Sequence, residues 1–321
     1  MASGSDAEIA IATIQCLLVI LNVAGNSLVC AIIRNNSDMR TPINYLLLNL
    51  AAADMILAIF FVPPYILIHT FTHPHGVPGT VLCRLLTGGV LAWIGAAASV
   101  FTLVVIAIER YSAVLHPLES KGKLTYRKLK GIIPCSWIFG VIMNIPAFLF
   151  MRFDKENYCM MIWPERWMGK AYFLAWCLLL AFLPVALMAT LYSRIVYSLW
   201  VKNVDIDDNK TNRQQAKMRM RKKVTMIAIT VSVIFGVCWL VDSINYTMYY
   251  FFPSHAFLSY AASSIMLLFN SAVNPIVYAL VNQKFRRKFK AMLCFPQRIH
   301  HQQATANASI PAASAGGEKT E

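Results

Sequence analysis

Charge is what this chain has least of. Of its 321 residues only 14% are Asp, Glu, Lys or Arg, where a soluble globular chain carries roughly 25%, so an ordinary cytosolic enzyme is disfavoured. Acidic residues are the scarcer kind, 15 against 29 Lys and Arg, which leaves a net charge of +14. In a polar chain that balance points to nucleic acid. Here 58% of the residues are hydrophobic and the mean hydropathy is +0.54, so the partner is lipid rather than nucleic acid. The eight cysteines are dispersed, with no C-x-x-C pair and no histidines at zinc spacing, so neither a metal ribbon nor a disulfide scaffold is indicated. Clustered nucleophiles or ligands are also missing. The seven histidines show no such cluster beyond His73-Pro74-His75 in an outer loop, which argues against an enzyme and against a bound cofactor.

Long apolar runs are abundant. A membrane-crossing helix needs about 20 predominantly apolar residues, and seven segments meet that requirement with little or no charge. They are residues 9–33, 43–68 (with the single charge Asp54), 85–108, 131–151, 171–193, 224–241 with a weaker extension to 251, and 256–282. Seven crossings put the termini on opposite sides. Lys and Arg stay on the cytoplasmic side, and the loops after spans two, four and six hold only Arg84, Arg152, Lys155, Arg166 and Lys170. A multi-pass plasma-membrane protein with its N-terminus outside is expected. Residues 1–8 carry no basic residue and run straight into a full-length span, so that span is expected to be a signal anchor. The sequons at Asn209 and Asn307 fall on the inner side, and the one at Asn245 in or near a span, so none is expected to carry sugar.

After span seven, Phe285, Phe289 and Leu293 recur at helical spacing among Lys284, Arg286, Arg287, Lys288 and Lys290, the pattern of an amphipathic helix on an anionic leaflet. Cys294 at its end is either a palmitoylation site or a bare thiol. Residues 213–223 are expected to continue span six as a helix. The expected organisation is a short extracellular N-terminus (1–8), a seven-helix transmembrane domain (9–282), a membrane-surface helix (283–294) and a disordered tail (295–321). The fold class is an all-α membrane protein, a seven-transmembrane helix bundle with a short cytoplasmic amphipathic eighth helix.

A charge in hydrocarbon costs roughly 3 to 10 kcal/mol or more, so the few present should face the interior. Asp54 sits mid-span, with Asn26, Ser99, Asn270, Ser271 and Asn274 as candidate partners on nearby spans. It is either helix glue or a small-cation or proton site. Asn270, Asn274 and Tyr278 recur every four residues on one face, and Pro275 removes a backbone hydrogen bond beside Asn274. Ser99 and Arg110 lie about three turns apart on span three.

Seven groups of residues now fall into order. They are Gly25-Asn26 in span one, Leu48-Asn49-Leu50-Ala51 to Asp54 in span two, Glu109-Arg110-Tyr111 closing span three, Trp137 in span four, Pro184 and Tyr192 in span five, Phe235 to Cys238-Trp239 in span six, and Asn274-Pro275-Ile276-Val277-Tyr278 in span seven. Together they resemble the rhodopsin-like (class A) G-protein-coupled receptors, most of all the peptide-receptor branch, over nearly the whole chain. The resemblance implies a transducer that takes an extracellular ligand and engages a heterotrimeric G protein, with arrestin as a further partner. It implies that Arg110 pairs with Glu109 at rest and with the G protein when active, and that Tyr192 and Tyr278 swing inward to support it. Tyr111, Phe235, Trp239, Asn274 and Pro275 complete the coupling and switch set. Asp54, Ser99, Asn270 and Asn274 would form a sodium pocket, and Cys83 would be joined to Cys159. That pairing is also favoured by place, since both cysteines lie on the outer, oxidising side.

Three features depart from the family pattern. Cys238-Trp239-Leu240 is followed by Val241 where a proline usually stands, so either another irregularity bends span six or its switch has altered energetics. Cys83 stands 27 residues before Arg110, about two more than the family's habit, and a bulge or extra partial turn near Gly88-Gly89 would absorb them. Arg221 and Lys222 occupy the positions where an acid would lock Arg110 to span six, so resting restraint is expected to rest mainly on Glu109, with appreciable basal activity.

Phe235, Trp239, Asp242, Tyr246 and Tyr249 form one stripe along span six, a packing seam or a ligand wall. Asp242 has no obvious basic partner, which suits a cationic ligand group, or else a protonated or water-bound acid. Where amine receptors of the family keep an aspartate this chain has Ala92, with Trp93 beside it. Leu268 replaces the retinal-attachment lysine of opsins. Tyr65, His69, Trp93 and Asn245, with Trp163, Trp167, Trp176 and Tyr260, make a mixed aromatic and polar mouth that suits a short neuropeptide or serves as interface anchors. The alternatives are a non-amine small molecule, or an ion- or proton-coupled transporter using Asp54, though the halves show no internal repeat.

Overall fold

The computed structural model describes residues 2–67, 73–116, 124–153, 159–201, 212–251 and 256–294. Seven helical stretches are long and apolar enough to cross a bilayer: Asp6–Asn35, Pro42–Leu67, Gly76–Leu115, Tyr126–Phe150, Arg166–Trp200, Met218–Asn245 and Ala261–Val281. Each overlaps an expected span. The third and fifth run well past the expected limits, because a helix goes on beyond the hydrocarbon where charged residues interrupt the apolar run.

The helices are α1 (Ala2–Asn35), α2 (Pro42–Val62), α3 (Gly76–Leu82), α4 (Val90–Leu115), α5 (Tyr126–Phe150), α6 (Arg166–Trp176), α7 (Leu183–Val196), α8 (Asn212–Phe251), α9 (Ala256–Val281) and α10 (Gln283–Cys294). Single π turns extend or join them at Pro63–Leu67, Cys83–Thr87, Cys177–Phe182 and Tyr197–Val201. Between α5 and α6 the strands β1 (Met151–Phe153) and β2 (Cys159–Met161) pair antiparallel, with Phe153 opposite Cys159. Their ends follow local chemistry. α2 opens with an extended Thr41 and Pro42 at the first helical position, where its missing N–H costs nothing. Thr125 Oγ1 accepts from the Lys128 N–H at 3.3 Å to start α5. Asn282 Oδ1 accepts from the N–H groups of Lys284 and Phe285, which turns the chain from α9 into α10. α8 carries the basic stretch from 213 to 223 as helix, as expected.

α4 is the central helix, packed against α2, α5 and α7. Its buried Ala92, Ala96, Ala97 and Ala98 let neighbouring backbones come close, the usual solution where lipid offers no hydrophobic drive between helices. α1 lies against α2 and α9, and α8 packs mainly on α9. Ile138, Val141, Ile142 and Ile145 of α5 point outward, as a lipid-facing surface should.

The extra length between Cys83 and Arg110 is absorbed where the glycines suggested. A π turn at Cys83–Thr87 is closed by the Gly88 N–H donating to the Cys83 carbonyl at 2.8 Å, and Gly89 takes φ +75° before α4 begins. That left-handed conformation strains a branched side chain by about 1–3 kcal/mol. Gly89→Val should lower the thermal midpoint of the detergent-solubilised protein, whereas Gly89→Asn should lower it less. Equal midpoints for wild type and Gly89→Val would contradict the conformational assignment.

Candidate functional site

Asp54 is completely buried in α2. Ser99 Oγ of α4 donates to its Oδ1 at 2.9 Å, and Asn274 Nδ2 of α9 donates to its Oδ2 at 2.8 Å. Three helices therefore meet on one carboxyl group. Asn26, a candidate partner by sequence, donates instead to Asn22 Oδ1 (3.1 Å) and to the Ser271 carbonyl (3.3 Å). Asn270 is buried and makes no hydrogen bond to Asp54 among the described residues. A β-carbon on Gly25 would stand 3.0 Å from Pro275 Cγ, so the glycine of span one allows the close approach of the proline of span seven. Asn274 Oδ1 is buried without a hydrogen-bond partner among the described residues.

A second node lies on Asn49, about one and a half helical turns from Asp54. Its Nδ2 donates to Thr102 Oγ1 (2.9 Å) and Ser136 Oγ (3.1 Å), and its Oδ1 accepts from Trp137 Nε1 (3.0 Å). Spans two, three and four are thereby pinned together. The sequence marked Asn49 and Trp137 by motif, but Thr102 and Ser136 went unnoticed. A lone hydroxyl in an apolar span carries no signal until its neighbour is known. Asn49→Leu removes the acceptor of Trp137 Nε1 and both cross-helix bonds of Asn49, while the Thr102 and Ser136 hydroxyls keep the Ala98 and Ile133 carbonyls at 2.7 Å each, and should cost about 1–3 kcal/mol of stability. A melting curve that does not shift would show the network to be dispensable.

At one end of the bundle, Arg110 and Glu109 form a mostly buried ion pair, and the Tyr111 ring lies 6.0 Å from that of His116. Beside Arg110 is a cavity of about 130 Å³ lined by α2, α4, α8, α9 and α10, including Ile106, Ala228, Ser232, Tyr278 and Asn282. Tyr192 is buried and accepts from Ser232 Oγ at 3.4 Å. Tyr278 is buried with its ring 5.9 Å from Phe285. Phe235 and Trp239 pack at 5.6 Å. The missing proline has a visible consequence, because α8 runs as one α-helix through Val241 with no substitute irregularity.

At the other end of the bundle Cys83 and Cys159 form a disulfide with Cα atoms 5.6 Å apart. It fastens the hairpin to the top of span three. His73 packs there, its Nε2 2.8 Å from Thr87 Oγ1 and its ring stacked 4.5 Å from Phe153. Burial holds its imidazole below the usual range. Because the two neighbouring cysteines are joined, these three residues do not make a metal site. Arg84 donates to the Leu149 and Met151 carbonyls at the end of α5. An aromatic chain runs Phe150, Trp163, Tyr172, Trp176, Trp93 with centroid spacings of 5.0–6.1 Å. Tyr65 stacks on Phe61 at 4.1 Å.

Asp242, read from sequence as lining a cleft, is only 7% exposed. Ser263 of α9 lies beside it, and among the described residues no basic group is within ion-pair distance. Asn245 is half-buried. His69 and the side chains of Tyr246, Tyr249, Tyr260 and Cys294 lie outside the described residues.

A sequence model of the family described as 7 transmembrane receptor (rhodopsin family) matches residues 25–278. The chain belongs to that family of G-protein-coupled receptors. The receptor is 29% identical to the neuropeptide FF receptor 1 of Rattus norvegicus over 90% of its own length and 72% of the relative's. It is 31% identical to a QRFP-like peptide receptor of Branchiostoma floridae (88% and 77%) and 26% identical to the pyroglutamylated RF-amide peptide receptor of Mus musculus (90% and 71%). The family is one of receptors rather than enzymes, and the transporter reading of Asp54 is not favoured.

Proposed function

We propose that this receptor binds a short extracellular peptide with a basic group at its outer face and couples to a heterotrimeric G protein through the crevice beside Arg110. It works in the plasma membrane with its N-terminus outside. The three relatives are named for peptides, and one name specifies an Arg-Phe-amide (RF-amide) ending. The observation that carries the basic group is Asp242, a buried carboxyl one turn outward from Trp239 with no cation in reach among the described residues. A buried acid without a cation favours a ligand that brings one. Tyr65, His69, Trp93, Asn245, Tyr246 and Tyr249 would line the approach.

The test uses amidated peptides ending in Arg-Phe and their citrulline analogues, which keep the shape and lose the charge, read by nucleotide exchange on added G protein. Asp242→Asn should weaken the arginine peptide by about 1.5–3 kcal/mol, roughly 10- to 100-fold, and leave the citrulline peptide unchanged. Equal losses for both peptides, or no response to any, would remove Asp242 from ligand binding.

The orphaned Asn274 oxygen beside the Asp54 carboxyl fits a small cation. Asp54, Ser99, Asn270 and Asn274 would hold a sodium ion, whose charge stabilises ionised Asp54 and so the packing of spans two, three and seven. Replacing choline by sodium in the buffer should therefore shift peptide affinity in wild type and not in Asp54→Asn. The same shift in both would overturn this assignment. At the inner surface α10 would lie on the anionic leaflet, tied to the first loop by Lys288 and Asp38 (3.4 Å), with Cys294 palmitoylated and arrestin as a second partner at the crevice.

A further inference from the structure

We propose that Lys222 and Trp200 form a latch that holds the inner half of span six against span five and so keeps the crevice beside Arg110 open. Three observations carry it. First, α8 is one uninterrupted helix over Asn212–Phe251, without a proline or a π turn. Lacking a hinge at Val241, it moves with whatever it is tied to rather than bending at its middle.

Second, among the described residues its polar ties on the cytoplasmic half lead to span five. Ser232 Oγ reaches Tyr192 Oη at 3.4 Å, and Lys222 Nζ sits 5.5 Å from the centre of the Trp200 ring. Lys222 and Trp200 are both half-buried, and Trp200 is packed at the edge of the main core. A cation over an indole is the strongest arrangement of its kind, and partial loss of water strengthens it.

Third, another face of α8, which includes Ser232 at its edge, lines the cavity beside Arg110. Val224, Ile227, Ala228 and Val231 face Leu103 and Ile106 across the cavity of about 130 Å³. Apolar side chains lining a void lose the contacts that closure would restore, so an unrestrained span six would settle onto span three. The latch opposes that collapse. It also directs the Lys222 charge onto an aromatic ring, away from the like charge of Arg110. Both residues are positioning residues: they act on coupling through the placement of α8. This reading does not depend on the identity of the ligand.

The experiment is ligand-free nucleotide exchange on added G protein, normalised to receptor number, in membranes carrying wild type, Trp200→Leu, Lys222→Gln, Lys222→Arg or the double variant Trp200→Leu/Lys222→Gln. Either Trp200→Leu or Lys222→Gln should lower basal exchange about three- to tenfold, Lys222→Arg should retain it, and the double variant should fall no further than the singles. In parallel, Ala228→Cys places a thiol on the crevice wall, and its labelling by a charged thiol reagent in inside-out vesicles should slow by a similar factor when the latch is broken. This second arm also decides the matter if a variant or the wild type shows no measurable basal exchange. Loss of exchange in Lys222→Gln but not in Trp200→Leu would make Lys222 a direct G-protein contact and overturn the latch. Unchanged labelling in both variants would overturn it as well.

Discussion

A polar side chain surrounded by hydrocarbon cannot turn to water, so it has to find its hydrogen bonds on another helix. In this receptor that requirement selects which helices meet. Asp54 binds Ser99 and Asn274 and so joins spans two, three and seven. Asn49 joins spans two, three and four through Thr102, Ser136 and Trp137. Near the outer end, Gln15 Nε2 donates to Ser264 Oγ at 2.9 Å and joins spans one and seven. Small residues on α4 then let the backbones close around these points.

The two ends of the bundle are held in different ways. The outer end is fixed by a disulfide, a hairpin and a run of packed aromatic rings. The inner end packs apolar side chains such as Ile33, Leu46, Leu199 and Phe285 around a cavity beside Arg110. A bundle with a cavity at its inner end can change its inner shape at smaller cost than a fully packed one, as a transducer requires. The unbroken α8 assigns that change to a rod moving as a body, with its partners on span five setting the balance.

Much of this was legible beforehand, for identifiable reasons. The apolar runs marked all seven crossings, since each run has to satisfy the bilayer on its own. Gly88-Gly89 marked the break that takes up extra length, since few residues tolerate a positive φ. Asn26 was harder to place. It sat among several plausible partners of Asp54, and its actual bonds to Asn22 and Ser271 depend on how span one is turned about its axis. The burial of Asp242 beside Ser263 was not legible, because a stripe of residues shows which side of a helix they share and not what stands opposite.

The sequence by itself determined the number of crossings, their orientation expectation and the identity of the scarce polar groups, because hydrocarbon judges each segment by its own composition. Tertiary structure alone decided who meets whom: Asn49 with Thr102 and Ser136, Ser232 with Tyr192, Lys222 with Trp200. Those pairings depend on the rotation and depth of whole helices, which are set by packing summed over every interface and are written in no single stretch of chain.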